Sequence, residues 1–354
     1  MPVPADAGDT LKVRRATPAD AARWDAFVDR HAELPPFARF AWDGVLRQVF
    51  ASELIGLLAE DADGETRGVL ALYPAKDDAG APRLFTLNRG LVADTAVAET
   101  CLLDHAQAVC GELTASGVDI STARQPAGPQ GLGPARQAIV LPLADDEERT
   151  WSALRGKTRN MIRKAHKQAL TVDFGLQHLQ AFYRIYAQRM LQLGVPIYGL
   201  ALFEAIAEGF GQDAELIVAR NGHEIISGLL LIHGAGTSVY PFQATVSEHM
   251  DSAATQLLIW EAARAAIRRG QRRLDMGESR PGSPVHKSKL NFGGSAEDVF
   301  QFSLEAAHRP AGTRRPALSR RVMRRLSAEA LRRGPLWLRQ PAGLWLKRQG
   351  RLLF

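Results

Sequence analysis

A chain of 354 residues, 46% hydrophobic and 23% charged, has a globular composition and the length for two domains, each with its own core. Two cysteines exclude a disulfide-built scaffold, and no apolar run, the longest lying around Ile225–Ile232, is long enough to span a bilayer. The net charge of +6 is unevenly placed: residues 309–354 hold thirteen Lys or Arg and one acid, a net +12, so the rest of the chain carries −6.

In chain order, the opening MPVPADAGDT lacks the charged-then-apolar pattern of a signal segment, and with the two thiols it leads to the expectation of a cytoplasmic protein. A helical stretch, WDGVLRQVF, precedes the predicted strands SELIGLLAE, RGVLALYPA and RLFTLNRG. The long helix AVAETCLLDHAQAVCGELTASG follows, with Cys101 and Cys110 on opposite faces, and then a strand beginning at Val118. Gln125–Gly133 (QPAGPQGLG) reads as a loop before the strand AIVLPL. Residues 151–170, WSALRGKTRNMIRKAHKQAL, contain six Lys or Arg and no acid, and predict one helix with a strongly cationic side.

The first order of elements then recurs. FEAIAEGF leads to AELIVARNG, an Asn221-Gly222 turn, IISGLLLIHG and TSVYPFQAT, the helix ATQLLIWEAARAAIRRG and the strand RRLDM. Glu53-Leu54-Ile55 and Glu215-Leu216-Ile217 fall at equivalent places, 162 residues apart, which suggests an ancient duplication. The boundaries are 1–145, 146–306 and a basic tail, 307–354.

Three stretches carry a family resemblance: W-x-x-L-R-x-K-x-R-N-x-I-R-K-A from Trp151, F-Y-R-I-Y-A-x-R-M-x-x-L-G-V-P from Phe182, and L-D-M-G-x-S…K-x-x-F-G-G from Leu274. The chain resembles the FemA/FemB/FemX-type transferases, in particular the stand-alone acetyltransferase-like branch of envelope and exopolysaccharide systems. The likeness is densest over 151–294. It implies an α/β (α+β) fold of two tandem GCN5-related (GNAT) acyltransferase domains, each a mixed, mostly antiparallel sheet flanked by helices, plus a basic helical tail. It also implies transfer of an acyl or aminoacyl group to an amine. Two features depart from the pattern. There is no room for a long coiled-coil arm, and SEHMDSAATQ stands where a glycine-containing pyrophosphate loop is usual. The donor is therefore either acetyl-CoA (or another acyl-CoA) or aminoacyl-tRNA.

Within the resemblance, Lys289 matches the recurrent lysine before an aromatic-Gly pair, with Phe292 after it. Gly277 and Ser279 let backbone approach a ligand, so the stretch reads as a loop holding the anionic part of a substrate, against a solvated surface loop. Arg155, Arg159 and Arg163 repeat every four residues and read as one face for a polyanion, against a merely solvated face. Ser252, Ala254 and Thr255 open a helix whose free amides suit a cofactor anion, or form an ordinary cap. Tyr240 and Gln243 sit on the preceding strand, Gln243 for substrate and Tyr240 as a catalytic group or as core, and Asp275 orients its neighbours rather than acting as a base. Nine histidines show no metal spacing and no nucleophile motif occurs, so direct attack by an acceptor amine, without a covalent enzyme intermediate, is expected.

The expected function is N-acyl transfer to a cell-envelope or exopolysaccharide precursor, an anionic small molecule or a lipid-linked sugar or peptide. The alternatives are a tRNA-dependent aminoacyltransferase and a catalytically silent GNAT pair binding nucleic acid or membrane. Paired arginines alternating with apolar residues at 314–333 predict an amphipathic tail helix, which either holds the protein peripherally on an anionic membrane or clasps its own acidic body.

Overall fold

The computed structural model describes residues 11–76, 80–126 and 136–306. Most of the 125–133 segment and the basic tail lie outside them.

The first repeat runs β1 (Lys12–Arg15), α1 (Ala21–Arg30), α2 (Ala41–Phe50), β2 (Ile55–Glu60), β3 (Thr66–Lys76), β4 (Pro82–Phe85), β5 (Leu91–Ala93), α3 (Ala96–Glu112), β6 (Gly117–Thr122) and β7 (Arg136–Pro142). Two helices link the repeats, α4 (Glu147–Ala153) and α5 (Gly156–Lys167). The second repeat is β8 (Thr171–Phe174), α6 (Leu179–Gln192), α7 (Leu200–Phe210), β9 (Ala214–Asn221), β10 (Glu224–His233), β11 (Thr237–Thr245), α8 (Ala254–Arg268), β12 (Arg273–Ser279), α9 (Pro284–Phe292) and β13 (Ser295–Glu305). The duplicated order read from the sequence is therefore present, with α9 added to the second copy.

Local chemistry sets the boundaries. Thr95 caps α3 by accepting from the Ala98 amide at 3.1 Å. Ser283 caps α9, with Pro284 at the first helical position. Gly222 turns the β9–β10 hairpin at φ 60°. Two expectations are corrected. RLFTLNRG is not one strand, because β4 stops at Phe85 and the chain bulges before β5. Residues 151–170 are not one helix, because Leu154 and Arg155 are extended (ψ 147° and 141°) between α4 and α5.

Both half-sheets join in one thirteen-stranded sheet, ordered β1-β2-β3-β4-β6-β13-β7-β12-β11-β10-β9-β8, with β5 against β3 and β6. The closing strands are exchanged. β7 ends the first repeat yet pairs with β12 of the second, while β13 ends the second and pairs with β6 of the first through Phe300–Glu305. The two exchanged strands also pair with each other, Ser295–Val299 against Arg136–Val140.

One core is shared by the halves: Trp24, Phe27 and Trp42 from the first meet Phe182, Phe203 and Phe210 from the second. The Trp42 and Phe210 rings lie 5.2 Å apart, edge to face. On the other face each half has its own core, under α3 in the first and under α8 and α5 in the second. No described helix is long and apolar enough to cross a membrane.

Candidate active site

β11 and β12 run parallel for only three pairs, Thr237–Val239 against Arg273–Asp275. β11 then stays with β10, and β12 bulges between Asp275 and Glu278 and continues beside β7. The strands thus diverge into a wedge. The same place in the first half is closed: Thr86–Gly90 lies along β6, with Thr86 Oγ1 accepting from the Ser121 amide at 2.8 Å.

Beside it, α5, the first turn of α8 and α9 enclose a cavity of about 340 Å³. Lys157, Lys287 and Lys289 bring three cations to its wall, Thr255 and Gln256 bring the α8 start, and Met161, Ile259 and Phe292 supply apolar surface. This pairing of a helix N-terminus with ammonium groups suits phosphate oxygens.

Lys289 is not on a loop but on α9, and it is half-buried rather than solvated. Its Nζ donates to Gly277 O at 2.9 Å and to Ser279 Oγ at 3.2 Å. Burial pulls the ammonium down to about 8, against the opposing pull of Asp275 and Glu278. Gly277 adopts φ 79° at the β12 bulge, a conformation that suits glycine. Its N–H donates to Asp275 Oδ1 at 2.6 Å.

Asp275 has no exposed surface and its Oδ2 accepts from Arg89 Nη2 at 2.5 Å, so it orients the strand end and is not placed as a catalytic group at the cavity. For Tyr240 the core alternative holds: its ring belongs to the core under α8, and burial, then the Asp275 charge, push its hydroxyl above its ordinary value. Gln243 Nε2 donates to Thr245 Oγ1 at 2.9 Å and to Thr255 Oγ1 at 3.2 Å, tying β11 to the first turn of α8. Of the three predicted cofactor residues, Thr255 reaches the cavity wall. Ala254 is buried, and Ser252 turns back to donate to His249 O at 2.6 Å.

The helix break leaves Arg155 outside α5, while Arg159 and Arg163 remain within it. Arg155 caps α5 from outside it and donates to Asn291 Oδ1 at 3.2 Å. Arg159 donates to Ser152 O at 2.7 Å, satisfying the end of α4, and Arg163 lies 5.5 Å from the Trp151 ring centroid. The α5 cation that faces the cavity is Lys157.

Sequence reasoning missed Arg89, Lys157, Lys287 and Glu278. The two lysines lie within stretches already singled out, whereas nothing local signals Arg89, 186 residues before its partner. Glu278 is buried, with Arg136 at 3.4 Å and Arg89 at 3.9 Å; burial raises its carboxyl above the usual range against those two charges. A second cavity, about 540 Å³, lies in the first half between the start of α3 and β13, walled in part by Arg89, Glu99 and Arg124. No group of three or more His, Cys, Asp or Glu among the described residues is placed to hold a metal ion.

Residues 152–288 match the acetyltransferase (GNAT) domain family. The second half is therefore an acyltransferase domain of the GNAT type, and it contains the open wedge, the α8 start and Lys157. The chain as a whole has the tandem GNAT fold. FemX is similar over 83% of this chain and 97% of its own, at 16% identity and a TM-score of 0.66. A tandem GNAT protein from the clavulanic acid biosynthesis pathway is similar over 84% of this chain and 99% of its own, at 14% identity and a TM-score of 0.53. The C-terminal domain of a putative lysylphosphatidylglycerol synthetase from Agrobacterium fabrum is similar over 88% and 96%, at 9% identity and a TM-score of 0.53. No curated protein matches the chain in sequence.

Proposed function

We propose that the protein transfers an acyl group from acyl-CoA to the amine of an anionic acceptor, with an amine on a cell-envelope or exopolysaccharide precursor as the acceptor class. The observation that carries this reading is the junction of the open β11–β12 wedge with the three-lysine cavity at the start of α8. Acyl-CoA fits the residues present: Lys157, Lys287 and the α8 first turn suit its phosphates, and Met161, Ile259 and Phe292 suit its apolar chain. When bound, it supplies the activated acyl thioester.

The remaining chemistry falls to the chain. An ammonium has three N–H donors. Two of those on Lys289 are held by Gly277 O and Ser279 Oγ, which leaves one to stabilise negative charge as it develops on a substrate oxygen. The apolar wall excludes water from the thioester. The acceptor amine attacks in its neutral form, and its proton leaves to solvent or to the departing sulfur. The acceptor class rests on the family resemblance and on the cations around the cavity.

A second reading, transfer from aminoacyl-tRNA, is favoured by one observation: Lys157 at the cavity wall and Arg163, Lys164 and Lys167 further along α5 are exposed, as a polyanion contact requires. One experiment separates the two. The protein is incubated with acetyl-CoA and a panel of amino sugars and amino-acid amines, with thiol release and acetylated product followed by spectrophotometry and mass spectrometry. In parallel it is given charged tRNA. Turnover with acetyl-CoA that falls roughly 100-fold in Lys289→Met is expected. Product from charged tRNA alone would replace the first reading with the second.

A further inference from the structure

The segment that closes the wedge of the first half also reaches into the second. Between β4 and β5, residues 86–90 span a stretch of β6 that includes Ser121. Besides the Thr86 contact, Arg89 N donates to Ser121 Oγ at 3.0 Å and Gly90 N to Leu87 O at 3.0 Å. Arg89 takes φ 51°, a left-handed backbone uncommon for a residue with a side chain. The turn sends its guanidinium out of its own half, and it ends 3% exposed against Asp275 of β12. A strained arginine in a buried ion pair is costly twice over, and such features persist where surrounding structure or function demands them.

From there the contacts run in one direction. Arg89 Nη2 holds Asp275 Oδ2 at 2.5 Å, and Asp275 Oδ1 takes the Gly277 amide at 2.6 Å. The Gly277 carbonyl receives Lys289 Nζ at 2.9 Å. We propose that Arg89 is a positioning residue for the transfer site: the first half, its own wedge closed, supplies the arginine that fixes the Asp275–Gly277 turn and, through it, the place and charge of Lys289. The two halves thus form one active site, and the second half is incomplete without the first. This rests on the reading of Lys289 given under Proposed function.

The test reads Lys289 directly, without substrate. On the full chain, acetic anhydride labelling of Lys289 is followed by mass spectrometry as a function of pH. The charged groups around it are Asp275 and Glu278 on β12, Arg136 on β7 and Arg89 beyond Asp275, with Lys157 of α5 and Lys287 of α9 on the cavity wall. Arg89→Met leaves Asp275 uncompensated, so the labelling midpoint is expected to rise by at least half a pH unit. Arg89→Lys should restore it in part. Should Arg89→Met not fold, Arg89→Met/Asp275→Asn removes both charges and is expected to move the midpoint below the wild-type value. An unchanged midpoint in the folded variants overturns the proposal. Turnover of acetyl-CoA should fall with the labelling shift, on the order of 100-fold for a displaced donor. A Lys289→Ala variant with full turnover would instead sink the role of Lys289, leaving the coupling measured by labelling intact.

Discussion

Lys289 and Glu99 show how one side chain's burial becomes a pH-dependent property of the protein. The Lys289 ammonium is pulled from 10.5 to about 8, so between those values the folded protein binds fewer protons than the unfolded chain. Stability contributed by this site therefore rises with pH from about 8 to 10.5 and is flat below. Urea unfolding across that range should show the rise, and Lys289→Met should lose it, a component of up to about 3 kcal/mol. Glu99 on α3 has the opposite sign. Its side chain is buried with Oε1 lacking a hydrogen-bond partner, and burial raises its carboxyl above 4.5, against the charge of Arg124. The folded state then holds the proton more tightly, and the site costs stability as pH rises through the carboxylate range. Glu99→Gln should unfold at higher denaturant than wild type at pH 7, with the gap closing toward pH 4.

At the scale of the element, α5 decides which cations serve a ligand. A helix of six cations and no acid looks like one polyanion-binding face, but the break at Leu154–Arg155 ends α4 and leaves Arg155 outside α5. Its buried side, Thr158, Ile162 and Ala165, faces α8 and α9, and this places Lys157 at the cavity and turns Arg159 back to the end of α4. Replacing Arg155, Arg159 and Arg163 together by Gln should therefore leave acetyl-CoA affinity within about twofold, while losing the Arg159 bond costs about 1 kcal/mol of stability. Lys157→Ala/Lys287→Ala should weaken acetyl-CoA roughly tenfold or more, since bonds from charged donors are worth about 1.5–3 kcal/mol each. Calorimetric titration and melting curves check both. A larger loss of affinity in the arginine triple variant would return the polyanion face to those residues.

For the whole molecule, exchange of the closing strands makes the halves interdependent. A fragment ending at residue 145 carries β7 without β12 or β13, and the remainder carries β13 without β6 or β7. Each also loses half of the shared aromatic core. The two fragments expressed apart should lack cooperative unfolding by circular dichroism and recover it when mixed; a fragment melting cooperatively alone would show that the exchange is dispensable. The tail adds a prediction from composition. Each Lys or Arg near an anionic leaflet is worth about 1 kcal/mol, so the +12 segment should carry the full chain down with anionic liposomes at low salt, and a version ending at His308 should stay in solution. Equal sedimentation of the two would remove the tail as the cause.

The sequence by itself determined the order of elements and their duplication, and its family resemblance implied the tandem GNAT fold. Apolar periodicity, the Asn221-Gly222 turn and the recurring Glu-Leu-Ile are local signals, and each helix or strand needs only its own side chains to declare its buried face. The stretch around Lys289 was singled out through the family resemblance, and its helix and burial came only with the structure. Only the tertiary structure decided the rest. The strand exchange, the Arg89–Asp275 pair across 186 residues and the burial of Lys289 arise where distant segments meet. Such meetings depend on how strands cross and how helices rotate about their axes, and neither leaves a period or a spacing in the sequence.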